Sequence, residues 1–480
     1  MASFEGLIYG IVQAQALLLV IGLAASFLLV VYRLTLHPLA GVPGSILAAA
    51  TGAYEAYFQL FKEGGEISFW QRTLLIGYAG PIVRINPWEV QIKDPNWNDI
   101  YKLSSKASKP RWYYRSFGNT ISTTTTESDE LHRIHRQALT SCFSTQNISK
   151  SEHTIQATID KLHDRLLASV GKFISLDNVY RSLAVDMATG FAFQKAFGNL
   201  DDAKFSEDFN RALRNYGRTG LFSRYCFGLP FQILQSLPVF ISKKLNPAVA
   251  TFMAAHDMVQ SMIKSDLSSE QKSFPRILAK CRSIIFAGQE TTATVLTSVT
   301  YHVLFKPEIR SRFLKELTEA RNAKADNLEY KDIRHLPYLT AVIDEAFRTF
   351  NAVTGRLTRF SETYTSISIP DTHIDPSIFT DPETFLPDRW LKESDNKRLS
   401  KYLQPWGRGS RLCLGMELAY YDLYLSITRL FGPDCDFEME LFDTGLKDWE
   451  AYGDFFAPAN APGGKGLRVL TVPKLKSTKP

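Results

Sequence analysis

One cysteine lies in a short loop whose composition suits the presentation of a thiolate to a metal. Cys413 sits between Gly409 and Gly415, two residues after Arg411. A free thiol titrates above neutrality, so a permanently ionised Cys413 needs a positive partner such as ferric iron, and backbone N–H donors directed at its sulfur. Glycines let the loop approach a flat macrocycle, and Arg411 could pair with a carboxylate at its edge. Taken alone, a cysteine near glycines is more often a small buried hydrophobe.

The complete spacing of this loop is more specific than its single cysteine. Trp406, Gly409, Arg411, Cys413 and Gly415 resemble the haem-binding signature F-x-x-G-x-R-x-C-x-G of the cytochrome P450 family, with Trp406 where phenylalanine is usual. The resemblance implies a mainly α fold with small β-sheets, the cytochrome P450 fold. It also implies haem b (iron protoporphyrin IX) as cofactor, with Cys413 as the ligand of the iron.

A second polar group lies inside an apolar, helix-compatible segment from Ile284 to Val299. Gly288 weakens a helix and Thr291 can bond back to a backbone carbonyl, so we expect the helix to open locally and admit water. Glu290 beside Thr291 could then relay protons to a bound oxygen, whereas an N-cap or a solvated face is the alternative. The run A-G-Q-E-T-T is similar to the oxygen-activation motif of the same family, which implies that Glu290 and Thr291 are catalytic.

Two further elements carry the resemblance. Glu345 and Arg348 lie three residues apart, hence on one helix face, where an exposed salt bridge is the ordinary interpretation. Together with Arg389 they resemble the family's E-x-x-R and P-x-R-x elements, which implies a buried charged triad that fixes the cysteine loop. Because an unpaired buried charge is costly, breaking the triad should abolish haem binding.

A basic helix turn supplies candidates for the haem carboxylates. His132 and Arg136 are one helical turn apart and resemble the family's W/H-x-x-x-R pair that holds the propionates. By the same resemblance Arg359 and Arg411 complete the set of cofactor-binding residues. A generic basic helix face is the alternative, and His135 is interpreted as a neighbour only.

Composition limits the class of protein. The 480 residues are 45% apolar, which is typical of a packed globule, and the net charge of +6 without a long basic run gives little support to a nucleic-acid partner. The five cysteines are odd in number and far apart, so neither a disulfide framework nor a structural zinc site is indicated. A reducing, cytosol-facing environment fits.

The N-terminal region predicts a membrane anchor. Residues 6–32 contain no charge and are long enough to cross a bilayer as one helix, although a cleaved signal peptide is the alternative. Two prolines and two glycines in residues 37–44 predict a stiff, non-helical spacer within a linker at residues 33–50, which leaves 51–480 as the catalytic domain. Arg33 on the C-terminal flank favours a cytosolic catalytic domain, and we expect a single-pass protein of the endoplasmic reticulum membrane.

Hydrophobic periodicity predicts mostly helices with a few strands. Apolar residues recur every three or four positions in Ile155–Val170, Phe209–Tyr216 and Ile309–Ala320, whereas Ile82–Ile85 and Leu467–Leu470 are typical of strands. The apolar stretch from Phe227 to Leu234 resembles a family loop that dips into the membrane, and an ordinary buried loop is the alternative.

One segment is shorter than the family pattern. Only 41 positions (389 − 348) separate Arg348 from Arg389, and His373 follows almost at once after Ile369, where relatives interpose a strand hairpin. Part of the small sheet is therefore expected to be missing, either by deletion or through the assembly of the coding sequence.

The resemblance implies a haem-thiolate monooxygenase that inserts one oxygen atom of O2 into an apolar small molecule, with electrons from NADPH-cytochrome P450 reductase. In its general sequence character the chain resembles fungal enzymes of secondary metabolism, including terpenoid oxygenases. The pocket is expected to be lined by Phe117, Ile284, Ala287, Val353, Phe455 and Phe456. The alternatives are a haem-binding membrane protein disabled by the shortened segment, and a haem enzyme that rearranges or dehydrates its substrate.

Overall fold

The computed structural model describes residues 2–62, 80–96, 100–118, 122–226, 228–238, 241, 244, 274–324 and 328–474. Phe227, at the start of the predicted membrane-dipping stretch, lies outside these ranges. The following residues form a helix, Leu229–Ser236, on which Leu229 and Ile233 are exposed.

Helices dominate the described part of the chain. They are α1 (Ala2–Thr35), α2 (Ile46–Ala50), α3 (Ala53–Leu60), α4 (Arg111–Tyr114), α5 (Asp129–Thr140), α6 (Thr145–Lys150), α7 (Glu152–Leu167), α8 (Leu176–Phe193), α9 (Glu207–Tyr225), α10 (Leu229–Ser236), α11 (Phe274–Phe305), α12 (Pro307–Asn322), α13 (Tyr330–Ile333), α14 (Pro337–Thr349), α15 (Ile369–His373), α16 (Glu393–Leu399), α17 (Met416–Phe431) and α18 (Leu446–Trp449). Short 3-10 turns cover Arg115–Phe117, Pro387–Trp390 and Gly409–Arg411.

Nine strands form three small sheets in the described residues. They are β1 (Ile82–Asn86), β2 (Glu89–Ile92), β3 (Phe173–Ser175), β4 (Arg359–Phe360), β5 (Tyr364–Ser366), β6 (Phe437–Leu441), β7 (Ala451–Asp454), β8 (Pro458–Asn460) and β9 (Arg468–Pro473). The sheet orders are β1-β2-β5-β4, β3-β9-β6 and β7-β8. Among these strand pairs of the described residues, only β2–β5 is parallel, and the architecture is the expected mainly α fold with small sheets.

The core is built around the long helix α11. It packs along α8, and α14 and α17 complete one large apolar cluster. Gly288 allows the two helices to approach closely, because a β-carbon there would lie 3.0 Å from the β-carbon of Ala188 on α8. The 32-residue helix α11 is continuous through the Glu290–Thr291 pair. The expected local opening is therefore wrong for the backbone.

The N-terminal helix is long and apolar enough to cross a membrane, and the most apolar part of it is not buried in the protein, whereas its last turn contacts α2. The predicted spacer at residues 37–44 contains no helix, and helices border it, because α1 continues to Thr35 and α2 begins at Ile46. Ala48 is fully buried, and Arg33 donates to the Ala50 carbonyl at 2.8 Å. Burial of α2 and this hydrogen bond give the region order that a proline- and glycine-rich sequence does not predict.

The shortened segment after β5 forms no strand. The chain leaves Ser366, enters α15 and reaches β6 only at Phe437, and every residue between them is described. The reduced sheet that the sequence predicts is confirmed in this respect. Four strands nevertheless remain in the first sheet, because the β4–β5 hairpin pairs with β2.

Candidate active site

The cysteine loop connects the 3-10 turn at Gly409–Arg411 to the first turn of α17. Its closure is local, since the Cys413 amide donates to the Trp406 carbonyl at 2.9 Å. The Trp406 ring lies edge-on to Phe347 of α14, with 4.9 Å between ring centroids, and its indole N–H donates to the Tyr420 hydroxyl at 3.3 Å. Aromatic packing therefore fixes the position at which the thiol is presented.

Cys413 faces an internal cavity. Its side chain is open to that cavity although the thiol lies deep inside the protein. Burial raises the pKa of the Cys413 thiol, and the Gly415 amide and Arg136 act in the opposite direction. Burial alone therefore disfavours a thiolate, which is consistent with the need for a bound cation at the sulfur.

The cavity extends between the cysteine loop and α11, and its wall is largely apolar. Cys413 and Trp406 lie in the wall on the side of the loop, and Thr291 and Glu290 lie in it on the side of α11. The aromatic and aliphatic members are Phe117, Phe286, Phe347, Val353, Leu357 and Phe456. The cavity suits a flat apolar ligand, with Cys413 on one side of it and Glu290 and Thr291 on the other.

Five basic side chains, Lys109, His132, Arg136, Arg359 and Arg411, cluster at this cavity. Burial and the four other cations lower the pKa of His132 to about 3. Burial, Arg359 and Arg411 lower the pKa of Lys109 well below its usual value. Burial and Arg359 likewise lower the pKa of Arg411 to about 10. The lowered pKa values show that these basic side chains repel one another and that the protein supplies too few negative charges to neutralise them.

Neutral oxygen atoms satisfy most of these cations. Lys109 donates to Thr124 O at 2.6 Å, Arg136 to Leu412 O at 2.5 Å, Arg359 to the Tyr114 hydroxyl at 3.0 Å and Arg411 to Thr126 O at 2.9 Å. In the described part of the chain Asp129 is the one carboxylate within 4 Å of the cluster, 3.8 Å from Arg411. The Nε of Arg411 is buried and unbonded among the described residues.

Glu290 and Thr291 are brought together with Cys413 in one cavity wall. The Thr291 hydroxyl donates to the Ala287 carbonyl at 2.7 Å, as expected for a threonine inside a helix. Glu290 instead accepts from Arg181 Nε on α8, at 2.8 and 3.1 Å from its two oxygens. Burial lowers the pKa of Arg181, but Glu290 and Asp177 outweigh it, so the net shift is upward.

The expected triad is present and fully enclosed. Glu345 accepts from Arg348 at 2.7 and 2.9 Å and from Arg389 at 3.1 Å. It also accepts from the Trp390 indole at 2.9 Å and the Leu386 amide at 2.8 Å. One carboxylate thus accepts five hydrogen bonds from four residues, and it ties α14 to the 3-10 turn at Pro387–Trp390.

The triad reaches the cysteine loop through His373. Arg348 donates to the His373 carbonyl at 2.9 Å, and the His373 Nε2 accepts from the Gln404 amide at 2.9 Å, two residues before Trp406. Burial and Arg348 lower the pKa of His373 to about 3, so the ring is neutral. Its Nδ1 therefore carries the proton and donates to Asn351 Oδ1 at 2.6 Å. The shortened segment keeps this connection.

Comparison with known proteins identifies the family. The family model described as Cytochrome P450 matches residues 99–441, which cover the α11 motif, the triad and the cysteine loop. The chain belongs to the cytochrome P450 family. Within that family it is a monooxygenase similar to fungal enzymes of secondary metabolism, and its cofactor is haem.

Three curated relatives of this cytochrome P450 illustrate the similarity. Cytochrome P450 monooxygenase orf4 of Eupenicillium brefeldianum is 33% identical over 94% of this chain and 97% of the relative. Cytochrome P450 monooxygenase tpcC of Cochliobolus heterostrophus is 33% identical over 92% and 94%. Tryptophan 6-hydroxylase fscE of Fusarium equiseti is 29% identical over 95% and 96%.

The relatives contain residues that this chain lacks. They span 496 and 498 positions for the first two relatives, more than the 480 residues of this chain, so each includes positions at which this cytochrome P450 has no residue.

The residues at the cavity fit haem. The under-neutralised cations and the unbonded Arg411 Nε suit the two propionates of the macrocycle. Lys109, Arg359 and Arg411 lie in the cavity wall itself, with His132 and Arg136 within electrostatic reach. Their assignment to the propionates stays a prediction, as does that of Cys413 to the iron.

Sequence reasoning placed some lining residues correctly and missed others. Phe117, Ala287, Val353 and Phe456 line the cavity as expected. Ile284 does not, because it packs in a separate apolar cluster with Cys281, and Phe455 faces a neighbouring cleft. Lys109 and Arg181 were missed, since neither stands in a recognisable motif and both reach the site through contacts distant in sequence.

Proposed function

We propose that this cytochrome P450 oxidises an apolar small molecule of fungal secondary metabolism, with terpenoids as the first class to test. The supporting observation is the apolar cavity wall, in which Phe117, Phe286 and Phe456 face the same space as Cys413 and Thr291. The Phe117 ring lies edge-on to Phe456 at 4.9 Å and to Phe286 at 6.2 Å. These rings would exclude water and orient an apolar substrate by shape.

The thiolate of Cys413 is assigned to the iron. Bound haem would supply the activation of O2, with one oxygen atom inserted into substrate and the other reduced to water, and the Cys413 thiolate that held the iron would favour O–O cleavage. Cys413 holds its sulfur toward the cavity from a loop closed by the Trp406 hydrogen bond, and the Gly415 amide favours the thiolate.

Glu290 and Thr291 are assigned to proton delivery. Thr291 Oγ1 now directs its hydrogen to Ala287 O, so the hydroxyl must rotate before it donates into the cavity. Glu290 lies in the walls of both the cavity and the adjacent polar cleft. Its carboxylate would take up a proton from water in the cleft, part from Arg181, and pass the proton to Thr291.

Electrons are proposed to come from NADPH-cytochrome P450 reductase. Within α1, 28 residues form an apolar stretch that is long enough to span a bilayer, which supports a single-pass anchor. The proposed location is the endoplasmic reticulum membrane, with residues 51–480 in the cytosol. A basic flank at Arg33 supports this orientation.

A haem protein without oxygenase activity is not favoured. The shortened segment would have to disturb the cysteine loop, yet Glu345 keeps both arginines and His373 still accepts from Gln404. A redox-neutral rearrangement is disfavoured by the Glu290–Thr291 pair in the cavity wall.

The assignment of Cys413 is tested by the carbon monoxide complex of the reduced, membrane-extracted protein. We expect a strongly red-shifted absorption band for the parent and its loss in Cys413→Ser, while Cys142→Ser at an exposed site on the surface keeps it. A Cys413→Ser protein that retained the band would contradict the assignment.

Substrate class is tested separately by ligand-induced spin-state change across terpenoid, polyketide and aromatic compounds. Turnover follows with reductase, NADPH and isotopically labelled O2. Label from O2 in a terpenoid product supports the proposal, whereas binding confined to the other classes, or a product without label, overturns it.

A further inference from the structure

A large polar cleft lies beside the haem cavity. It has a volume of about 1350 Å³ and runs between the start of α8, the length of α9 and the residues around and after the β7–β8 hairpin. The cleft and the cavity share Phe286, Glu290 and Ala457 in their walls. Phe455 faces the cleft and the next residue, Phe456, faces the cavity. A ligand that passed this thin aromatic partition would occupy both spaces.

One face of α9 presents arginines to the cleft. Arg211, Arg214 and Arg218 are spaced by three and four residues, which places them on the same side of a helix, and all three line the cleft. The charged lining as a whole is more basic than acidic; its members are Arg181, Lys204, Arg211, Arg214, Arg218, Lys465, Asp177, Glu207 and Glu290.

The arginines differ in whether an acid already neutralises them. Arg181 pairs with Glu290 at 2.8 Å. Arg211 pairs with Asp208 and lies 3.8 Å from Glu207. No carboxylate among the described residues comes within 4 Å of Arg214 or Arg218 at the inner end of the row.

These two guanidinium groups stand in contrasting surroundings. Arg218 lies over the ring of Phe455, 4.9 Å from its centroid. Burial, and then the charge of Arg181, lower the pKa of Arg214, and Glu290 and Asp177 offset this shift only in part. Positive charge therefore accumulates next to the aromatic partition, where an anionic group with an apolar body would find both of its partners.

The helix leaves little side-chain bulk at the partition. Gly217 lies between the two arginines, and a β-carbon there would contact Phe455 and Phe286 at 3.7 to 3.9 Å. The partition is thus made of aromatic rings that pack against bare backbone.

We propose that the cleft binds the carboxylate of an amphipathic substrate at Arg214 and Arg218, while the apolar part of that substrate passes Phe286 and Phe456 to the haem. This deepens the proposed function, on which it rests, by narrowing the substrate from an apolar molecule to an apolar carboxylic acid. Asp177 and Glu290 in the same walls disfavour a multiply charged group such as a diphosphate, so a single carboxylate is the better match.

Binding of a matched pair of probes tests the inference without turnover. Dodecanoic acid and its methyl ester share the apolar chain, and only the acid is charged at neutral pH. For the full-length haem protein we expect saturable binding of the acid, measured by equilibrium dialysis and by spin-state change, about tenfold tighter than that of the ester. Arg214→Ala and Arg218→Ala should each remove most of this preference and leave ester binding within about twofold.

Matched variants separate charge recognition from structure. Arg211→Ala changes the same face of α9 but removes a guanidinium already paired with acids, so the preference for the acid should persist. Arg214→Lys keeps the charge and should retain part of the preference, and Arg214→Glu should reverse it. The carbon monoxide band of each variant reports whether the haem site has folded.

Several results would overturn the inference: no saturable binding of dodecanoic acid, equal affinity for acid and ester in the parent, or equal weakening of both in the arginine variants. Dodecyl diphosphate that binds more tightly than the acid would also count against a carboxylate site. Failure of the terpenoid assignment would instead leave the acid-over-ester preference intact, so the two proposals fail separately.

Discussion

At the scale of single residues, Gly409 shows how the cysteine loop depends on one backbone conformation. Its φ is 72°, and a β-carbon there would overlap the Tyr101 carbonyl oxygen. We expect Gly409→Ala to cost about 2–4 kcal/mol and to reduce haem incorporation, because left-handed strain and backbone overlap both act. Haem content per polypeptide and the urea midpoint provide the measurement.

The matched control for that substitution is Gly171→Ala. Gly171 has a φ of 83°, but no atom lies within 4 Å of a β-carbon built there. Only the left-handed penalty of about 1 kcal/mol should remain. Equal losses in both variants would mean that the contact with Tyr101 does not constrain the loop.

Glu345 is the residue on which the buried charges converge. Glu345→Gln removes the negative charge from between Arg348 and Arg389, both of which are buried. An uncompensated buried charge costs about 3–5 kcal/mol, so we expect little haem-containing protein. The control is the exposed pair between Arg312 of α12 and Asp388, the neighbour of Arg389, and Arg312→Ala should cost about 0–1 kcal/mol. Similar yields of haem protein from the two variants would contradict a structural role for the triad.

At the scale of elements, His373 joins the segment after β5 to the cysteine loop. Replacing it by leucine leaves the Gln404 amide and Asn351 Oδ1 without their partners, which we expect to cost about 2–3 kcal/mol and to speed haem loss several-fold. The rate of haem transfer to excess apomyoglobin measures this effect. Ser377→Ala, near the end of the same segment, is the control, and an unchanged rate in His373→Leu would remove His373 from the connection.

Helix prediction from periodicity succeeded where local pattern and tertiary packing agreed. Ile155–Val170 corresponds to α7, which ends at Leu167 before the left-handed Gly171. The predicted helix Phe209–Tyr216 covers only the first half of α9. The prediction stopped there because the following Gly217-Arg218-Thr219-Gly220 has low helix propensity. Contacts with Phe455 across the cleft, such as that of Arg218, lie far away in sequence and could not be read from it.

In the linker, tertiary packing forms a helix that the local sequence does not predict. Two prolines and two glycines between His37 and Gly44 correctly exclude a helix there, but burial of Ala48 against the body of the protein forms α2 at Ile46–Ala50. Local composition predicts the backbone conformation that a segment prefers, but it does not predict the surface against which the segment packs.

At the scale of the whole molecule, motif spacing predicted those site residues that belong to a short sequence motif. Cys413, Thr291 and Arg359 meet in one cavity although 122 positions (413 − 291) separate the first two. Arg181 and Lys109 complete the charge pattern from elements whose sequences have no diagnostic spacing. Only the packing of α8 on α11 puts Arg181 beside Glu290.

Buried ionisable groups make stability depend on pH across the molecule. Burial, with Lys306 as a smaller cause, lowers the pKa of His302 to about 3. The ring stacks on Phe385 at 3.7 Å. Between pH 3 and about 6.5 the unfolded chain binds a proton at this histidine that the native protein does not. Its contribution is therefore fully present above pH 6.5 and is lost as the pH falls.

The parent protein also contains groups with the opposite effect. Burial and Glu345 raise the pKa of Asp344 to about 7, and burial raises that of Asp422. For such a carboxyl group the native state binds the extra proton above about pH 3.8, so stability falls as the pH rises. The contribution of one histidine must consequently be measured as a difference between a variant and the parent.

His302→Phe isolates that difference. Relative to the parent, the variant should gain about 2 kcal/mol of unfolding free energy between pH 7 and pH 5, at about 1.4 kcal/mol per pH unit below 6.5. Urea unfolding of the two haem proteins at both pH values provides the measurement. Phe385→Leu disturbs the same stack without removing a titratable group, so its free-energy difference from the parent should stay constant with pH. A pH-independent difference for His302→Phe would show that His302 has the same pKa in the native and unfolded states, which would contradict its burial as a neutral ring.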